Sequence, residues 1–251
     1  MHVHTKFSVD STEAMENYCH IAKEKGFNVI CFTEHVEFND TDYGYNFYDK
    51  DAYFTELERL QKKYKDSLCL LAGMEFSEPH LYQKELKEMN AYPYDFVLGS
   101  LHCIRRTMFP ETLIARGISV EESSAEYWKE MQEVVSLGGF DCVAHMDFLK
   151  RYYKRIVLDA EKIEEICKAI VKKDLCIEIN TSSLRKGLQQ AMPDEEILAI
   201  YKDCGGKYLT IGSDAHMAKD LGTDQRYAQV LRNRFGLQEV IFIKREMQIL
   251  S

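Results

Sequence analysis

The chain opens Met1-His2-Val3-His4-Thr5, and Asp10 follows in the next stretch. In an extended strand, residues i and i+2 share a face, so His2 and His4 point the same way and Asp10 returns toward them from the loop. An isolated His-x-His pair is a weak signal. Its weight comes from five later segments: Thr33-Glu34-His35, Gly73-Met74-Glu75, Ser100-Leu101-His102, Ala144-His145 and Ser213-Asp214-Ala215-His216. Each puts a ligand-type residue at the end of an apolar run.

Those runs alternate with helical patterns. Ser11–Lys25 reads as a helix capped by Ser11 or Thr12, with Glu13 and Glu16 in its first turn. Asn28–Thr33 (NVICFT) is wholly apolar, as a strand covered on both faces requires. A tyrosine-rich loop to about Tyr48 precedes a helix over Lys50–Tyr64. Strand Leu68–Phe76, helix Pro79–Asn90 and strand Asp95–Ser100 follow. His102 to Gly117 has no period and reads as irregular. Val120–Leu137 is a helix, Cys142–Ala144 a short strand, Asp159–Lys173 a helix and Leu175–Asn180 a strand. Pro193–Cys204 opens with Pro and three acids, a helix N-terminal signature. Tyr208–Gly212, Asp224–Phe235 and Glu239–Ile243 complete the series as strand, helix and terminal strand. Sevenfold alternation of this kind predicts a parallel sheet with helical crossovers. No linker interrupts it, so residues 1–251 are expected to form one domain. In closed α/β barrels the active site lies at the C-terminal strand ends, where the ligand-type residues fall.

Composition narrows the class. At 251 residues and 45% hydrophobic content the chain can fill a sizeable core. No apolar run reaches the roughly 18–20 residues of a membrane span, and the polar N-terminus is not a signal peptide. Eight cysteines are scattered singly with no CxxC pair, which predicts buried free thiols in a reduced cytoplasm. A net charge of −9 argues against a general nucleic-acid binder.

Six of the eight histidines (His2, His4, His35, His102, His145 and His216) stand at strand ends; only His20 and His80 do not. Any one of them is ordinarily a hydrogen-bonded structural histidine, but six at one rim of a barrel point to metal. Histidine is the commonest metal ligand and carboxylates complete such sites, here Asp10, Glu75 and Asp214. Arg151 follows the fifth strand and Arg185 the sixth. Each reads either as a solvated loop residue or, beside a metal cluster, as a fork for a phosphate monoester. Glu34, adjacent to His35, reads as a group orienting the site, as an acid, or as a strand-end carboxylate facing solvent.

The series His2-x-His4, Asp10, His35, Glu75, His102, His145 and Asp214-x-His216 resembles the polymerase and histidinol phosphatase (PHP) superfamily. It looks most like the histidinol-phosphatase branch, on Glu178-Ile-Asn-Thr-Ser-Ser-Leu-Arg-Lys, Ser100-Leu-His and Asp147-Phe-Leu-Lys-Arg-Tyr. The resemblance spans nearly the whole chain. It implies a distorted (β/α)7 TIM-like barrel, the PHP fold, holding two or three divalent ions (Zn, Mn or Fe). The implied division gives His2, His4, Glu75 and Asp214 to the first ion. Glu75 bridges to a second held with His102 and His145, and Asp10, His35 and His216 hold a third. Some relatives have histidine where Asp10 stands; aspartate suits a harder ion such as Mn or Fe. Relatives also carry several residues before the His-x-His pair, whereas Met1 directly precedes His2 here, which predicts a first strand less firmly held.

The implied activity is hydrolysis of L-histidinol phosphate in histidine biosynthesis, with Glu75 and Asp214 at the reacting centre and Arg151 and Arg185 on the phosphate. The alternatives are a phosphoesterase for a nucleotide or sugar phosphate, a nucleic-acid-processing module and a non-catalytic metal-binding remnant. The negative charge opposes the third of these four readings and the complete ligand set opposes the last. The expected partner is a small phosphate monoester, with no nucleic acid and no membrane. The residues predict no oligomeric state.

Overall fold

The computed structural model describes residues 1–250. Its strands are β1 (Val29–Val36), β2 (Cys69–Ser77), β3 (Phe96–Ser100), β4 (Cys142–Val143), β5 (Cys176–Asn180), β6 (Tyr208–Gly212), β7 (Gln238–Ile243) and β8 (Glu246–Ile249). They pair in chain order. Every pairing from β1 to β7 is parallel, and β8 returns antiparallel on β7. The crossovers carry α1 (Met15–Glu24, before β1), α2 (Lys50–Tyr64), α3 (Gln83–Met89), α4 (Pro110–Ala115), α5 (Val120–Leu137), α6 (Lys150–Tyr153), α7 (Ala160–Lys172), α8 (Ser182–Arg185), α9 (Glu195–Asp203) and α10 (Gln225–Arg234).

Local chemistry accounts for these elements. β3 and β5 are buried at every position, as parallel strands under helices must be. α7 buries Ile163, Ile166, Cys167 and Ile170, the i, i+3, i+4, i+7 stripe of an amphipathic helix. Each such aliphatic side chain contributes about 1.5–3 kcal/mol on leaving water. Its first turn is capped by Asp159, which accepts from the Lys162 N–H. Ser119 caps α5 in the same way, and α5 stops at Gly138, whose φ of 71° is readily adopted only without a side chain.

The opening residues close the ring. Thr33 N–H donates to Val3 O at 2.8 Å on one side, and on the other His4 N–H donates to Ala215 O at 2.9 Å. Asp214 N–H donates to His2 O, and the Met1 ammonium to Ile211 O, each at 2.9 Å. Residues 1–5 thus fill the place between β6 and β1 and supply the seventh member of the distorted (β/α)7 barrel. The segment is less regular than a strand, with a single ladder bridge at Val3. It is nevertheless held on both sides, contrary to the expectation of a loosely held start. Because residues 1–5 take the upper edge of β6, β7 pairs only with its lower end, Tyr208 and Leu209. β7 and β8 then turn beneath the barrel, where Phe242 stacks on Phe96 with centroids 5.1 Å apart. Arg245 reaches Asp141 and Asn90, fastening the hairpin to the lower end of the barrel.

Several predicted boundaries shift. α1 begins at Met15 with Ala14 at its cap position and no side-chain cap; Ser11 Oγ lies ahead of the helix, accepting from Glu13 N–H at 3.2 Å and donating to His216 O at 2.9 Å. Pro79–Asn90 contracts to α3. The stretch read as irregular, 102–117, contains α4 with Pro110 in its first turn.

Candidate metal centre

The C-terminal strand ends deliver the predicted ligands to one place, and Glu75 at the end of β2 is its hub. Glu75 Oε1 lies 2.7 Å from His145 Nε2 and 3.2 Å from His102 Nε2. Its Oε2 lies 3.1 Å from His2 Nε2, 3.4 Å from His4 Nε2 and 3.2 Å from His35 Nδ1. Asp214 Oδ1 stands 3.4 Å from His4 Nε2 and 3.9 Å from His2 Nε2. Asp10 Oδ2 meets His216 Nε2 at 2.9 Å and His35 Nε2 at 3.6 Å. All nine expected ligands therefore converge. Their potential ligand atoms fall into overlapping groups: His2, His4 and Asp214; His2, Glu75 and His145; His35, Glu75 and His102; His4, His35 and His216.

The donor set fits cations because three of its imidazoles are held from behind. His2 Nδ1 sits 2.7 Å from Glu178 Oε1. His4 Nδ1 sits 3.1 Å from Ser8 Oγ, which donates to Glu34. His102 Nδ1 sits 3.0 Å from Ser77 Oγ, which donates to Glu37. Each partner fixes the proton on Nδ1 and leaves the Nε2 lone pair facing the cluster, the tautomer a metal requires. The field has the same sense. Burial opposes a charge on His2, yet Glu178, Glu75 and Asp214 hold its pKa well above the ordinary value. Burial is likewise overcome at His35, by Glu75 and Asp10, which hold it at about 9. At His4 burial and the neighbouring His35 and His216 drive the pKa well down, and at His145 burial also lowers it.

The backbone is shaped to the same end. Asp214 has φ 50° and His145 φ 22°, both in the left-handed region that costs a side-chain-bearing residue about 1–3 kcal/mol. A Cβ at Gly212 would lie 1.9 Å from Glu178 Oε1 and 2.6 Å from His2 Cβ, so only glycine admits the His2–Glu178 pair.

The cluster forms one side of a cavity of about 720 Å³. Arg151 lines it, with its guanidinium 4.7 Å from the Phe148 ring centre and one terminal nitrogen donating to Asp214 Oδ2 (2.7 Å) and Ser182 Oγ (2.6 Å). Arg185 does not line it. Its guanidinium donates to the carbonyls of Ser213 (2.6 Å) and Asp214 (3.2 Å), and Lys186 faces the cavity in its stead. Glu34 is also corrected: it is fully buried, faces no solvent and lies outside the cavity wall. Its carboxylate accepts from Thr5 N–H, Thr5 Oγ1 and Ser8 Oγ, which leaves it the positioning part through Ser8. Glu178, Glu37, Ser8 and Ser77 were not anticipated as site residues. A readable sign existed for Glu178 alone, a charge flanked by Ile177 and Ile179 in the CIEIN strand.

Glu178→Gln is expected to weaken metal binding by about 10- to 100-fold, the usual effect of losing such an orienting partner. Glu178 Oε2 accepts from His145 N–H and Asn180 Nδ2 while Oε1 serves His2, and an amide cannot accept at both ends. Competitive metal titration of the apoprotein reads this directly; unchanged affinity would show that Glu178 only packs.

A ring of imidazoles and carboxylates at the mouth of a β/α barrel, with an arginine beside it, is equipped for metal-dependent hydrolysis of a phosphoric monoester. Residues 1–182 match the PHP domain family, and the chain belongs to it. It is 31% identical to a probable histidinol-phosphatase of Clostridium acetobutylicum over 98% of this chain and 97% of that one. It is 28% identical to the histidinol-phosphatase of Lactococcus lactis, over 95% and 91% of the two chains. Among solved structures it superposes on histidinol phosphate phosphatase from Lactococcus lactis, crystallised with zinc, L-histidinol and phosphate. The TM-score there is 0.88 at 27% identity, covering 98% and 97% of the chains.

Proposed function

We propose that the chain hydrolyses L-histidinol phosphate to L-histidinol and phosphate, in the cytoplasm, as a step of histidine biosynthesis. The observation that carries this is the polarity of the cavity. Its inner side offers the ligand cluster and Arg151, whose Nε has no partner among the described residues. Its remaining wall is mainly acidic and aromatic, with Asp42 and Glu111 beside Tyr43, Phe109 and Tyr152, and Lys186 its one cation. A phosphate monoester whose other end is a cationic amine beside an aromatic ring matches both halves. A sugar phosphate matches only the first; a nucleotide offers a base to the aromatic residues but no cation to the acidic ones. Eight unpaired cysteines suit a reducing compartment, and no described helix is long and apolar enough to cross a membrane.

The residues divide the work accordingly. His2, His4, Glu75 and Asp214 would hold one divalent ion, Glu75, His102 and His145 a second, and Asp10, His35 and His216 a third, of Zn, Mn or Fe. Such ions, when bound, activate water at neutral pH and offset the charge of the phosphoryl group. Arg151 orients the phosphoryl oxygens, and its contact with Asp214 keeps them against the cluster. Phe148 excludes water from one side of the arginine, packing 4.8 Å from the His102 ring and 4.9 Å from that of His145.

Phosphate release from L-histidinol phosphate, set against nucleotide and sugar monophosphates, tests the reading. One charge-assisted contact to the amine is worth about 1.5–3 kcal/mol. The expected preference in kcat/KM is therefore about 10- to 100-fold. Equal turnover across the panel would favour a general small-phosphate phosphoesterase.

A further inference from the structure

Lys150 is 2% exposed, a rare state for lysine. Its ammonium donates to Ala191 O at 2.7 Å, lies 2.8 Å from Asp147 Oδ2 and pairs with Asp194 Oδ1, so all its donors are used. Asp147 Oδ2 also accepts from the Asp194 N–H at 2.9 Å. Buried ion pairs of this kind often add no net stability over an apolar replacement. Their position gives a better account of this one. Lys150 begins α6, and the next residue is Arg151. On the other side, Ala191 adjoins Met192, whose N–H and C=O bond to Asn180 at 2.9 and 2.7 Å. Asn180 Oδ1 accepts from Ser182 Oγ at 2.6 Å. Ser182 and Asp214 are the two groups that hold the Arg151 guanidinium.

The ion network therefore clamps α6 to the segment that also fixes the partners of Arg151. We propose that Lys150, through Asp147 and Asp194, is a positioning residue that sets the reach of Arg151 toward the phosphate. This rests on the reading of Arg151 as the phosphate-binding arginine. Lys150 itself touches neither the ligand cluster nor the cavity wall. An effect that passes through Arg151 is absent when that arginine is absent, whereas one that reached Glu178 or Asp214 through Asn180 would persist.

A double-mutant cycle isolates this coupling. Wild type, Lys150→Met, Arg151→Ala and the double variant are compared as metal-loaded enzymes for kcat/KM, inhibition by inorganic phosphate and metal content. Lys150→Met is expected to lower kcat/KM about 10-fold and to weaken phosphate inhibition similarly, with metal content unchanged. In the Arg151→Ala background it should add no further loss. Asp194→Asn, which keeps the shape and removes one charge, runs the same cycle in case Lys150→Met folds poorly, and is expected to show the same non-additivity. Additive losses in the cycle, or loss of metal in a single variant at position 150 or 194, would overturn the inference while leaving Arg151 on the phosphate. Wild-type kinetics in Arg151→Ala alone would overturn the phosphate reading and the inference together.

Discussion

Chelation is expected to abolish phosphate release, and Mn, Fe or Zn to restore it. The cavity wall carries no serine or cysteine among the described residues, so no thiol or serine nucleophile is at hand. Three of its carboxylates, Asp10, Glu75 and Asp214, face imidazoles at 2.7–3.9 Å. Phosphate monoesters are among the slowest biological esters to hydrolyse, so positioning alone does not suffice. The same argument singles out one ligand. Glu75 Oε1 and Oε2 between them face His2, His4, His35, His102 and His145, and burial would raise its pKa were those histidines not holding it well down. Glu75→Gln leaves these imidazoles facing an uncharged amide. A loss of at least about 100-fold in kcat, some 2.7 kcal/mol, is expected together with reduced metal content. Full turnover by a metal-free preparation would rule the mechanism out.

Arg151→Ala is expected to cost about 10- to 100-fold in kcat/KM, because a charge-assisted bond to a buried anion contributes about 1.5–3 kcal/mol. Arg151→Lys should recover part of the loss, since lysine keeps the charge and lacks the planar fork. Metal analysis accompanies the kinetics because Arg151 also touches Asp214. Retained metal with lost activity assigns the arginine to the phosphate; lost metal assigns it to support of Asp214. Arg185→Ala is expected to behave in the second way, since its guanidinium grips the Ser213 and Asp214 carbonyls and does not line the cavity. Wild-type kcat/KM in Arg151→Ala would reduce that residue to a packing role.

The convergence of the nine candidate ligands was legible because a parallel barrel puts the ends of its strands at one mouth, so a histidine or acid closing an apolar run declares its location. The supports behind them were not. Ser8 and Ser77 are ordinary residues whose meaning lies in a partner far along the chain, and Glu37 sits just past a strand end like many solvated acids. Lys186 and Arg185 are neighbours, and only the local geometry of α8 decides which faces the cavity. The β7–β8 hairpin escaped notice because its turn is Lys244-Arg245, at φ 53° and 66°, where asparagine or glycine would have announced it. α4 is too short to show a period.

The closure of the ring by residues 1–5 dictates the order in which the molecule matures. The Met1 ammonium meets Ile211 across a separation of 210 residues, and His2 and His4 bind beside Asp214 and Ala215. Pairings of such high contact order form slowly, after local crossovers have assembled. Of the two edges that hold residues 1–5, the one on β1 is near in sequence, while the one beside β6 exists only once residues 211–215 have joined the barrel. A metal site shared between residues 2–4 and 214–216 thus acts as a checkpoint: it is complete only once β6 and the turn that follows it have joined the barrel.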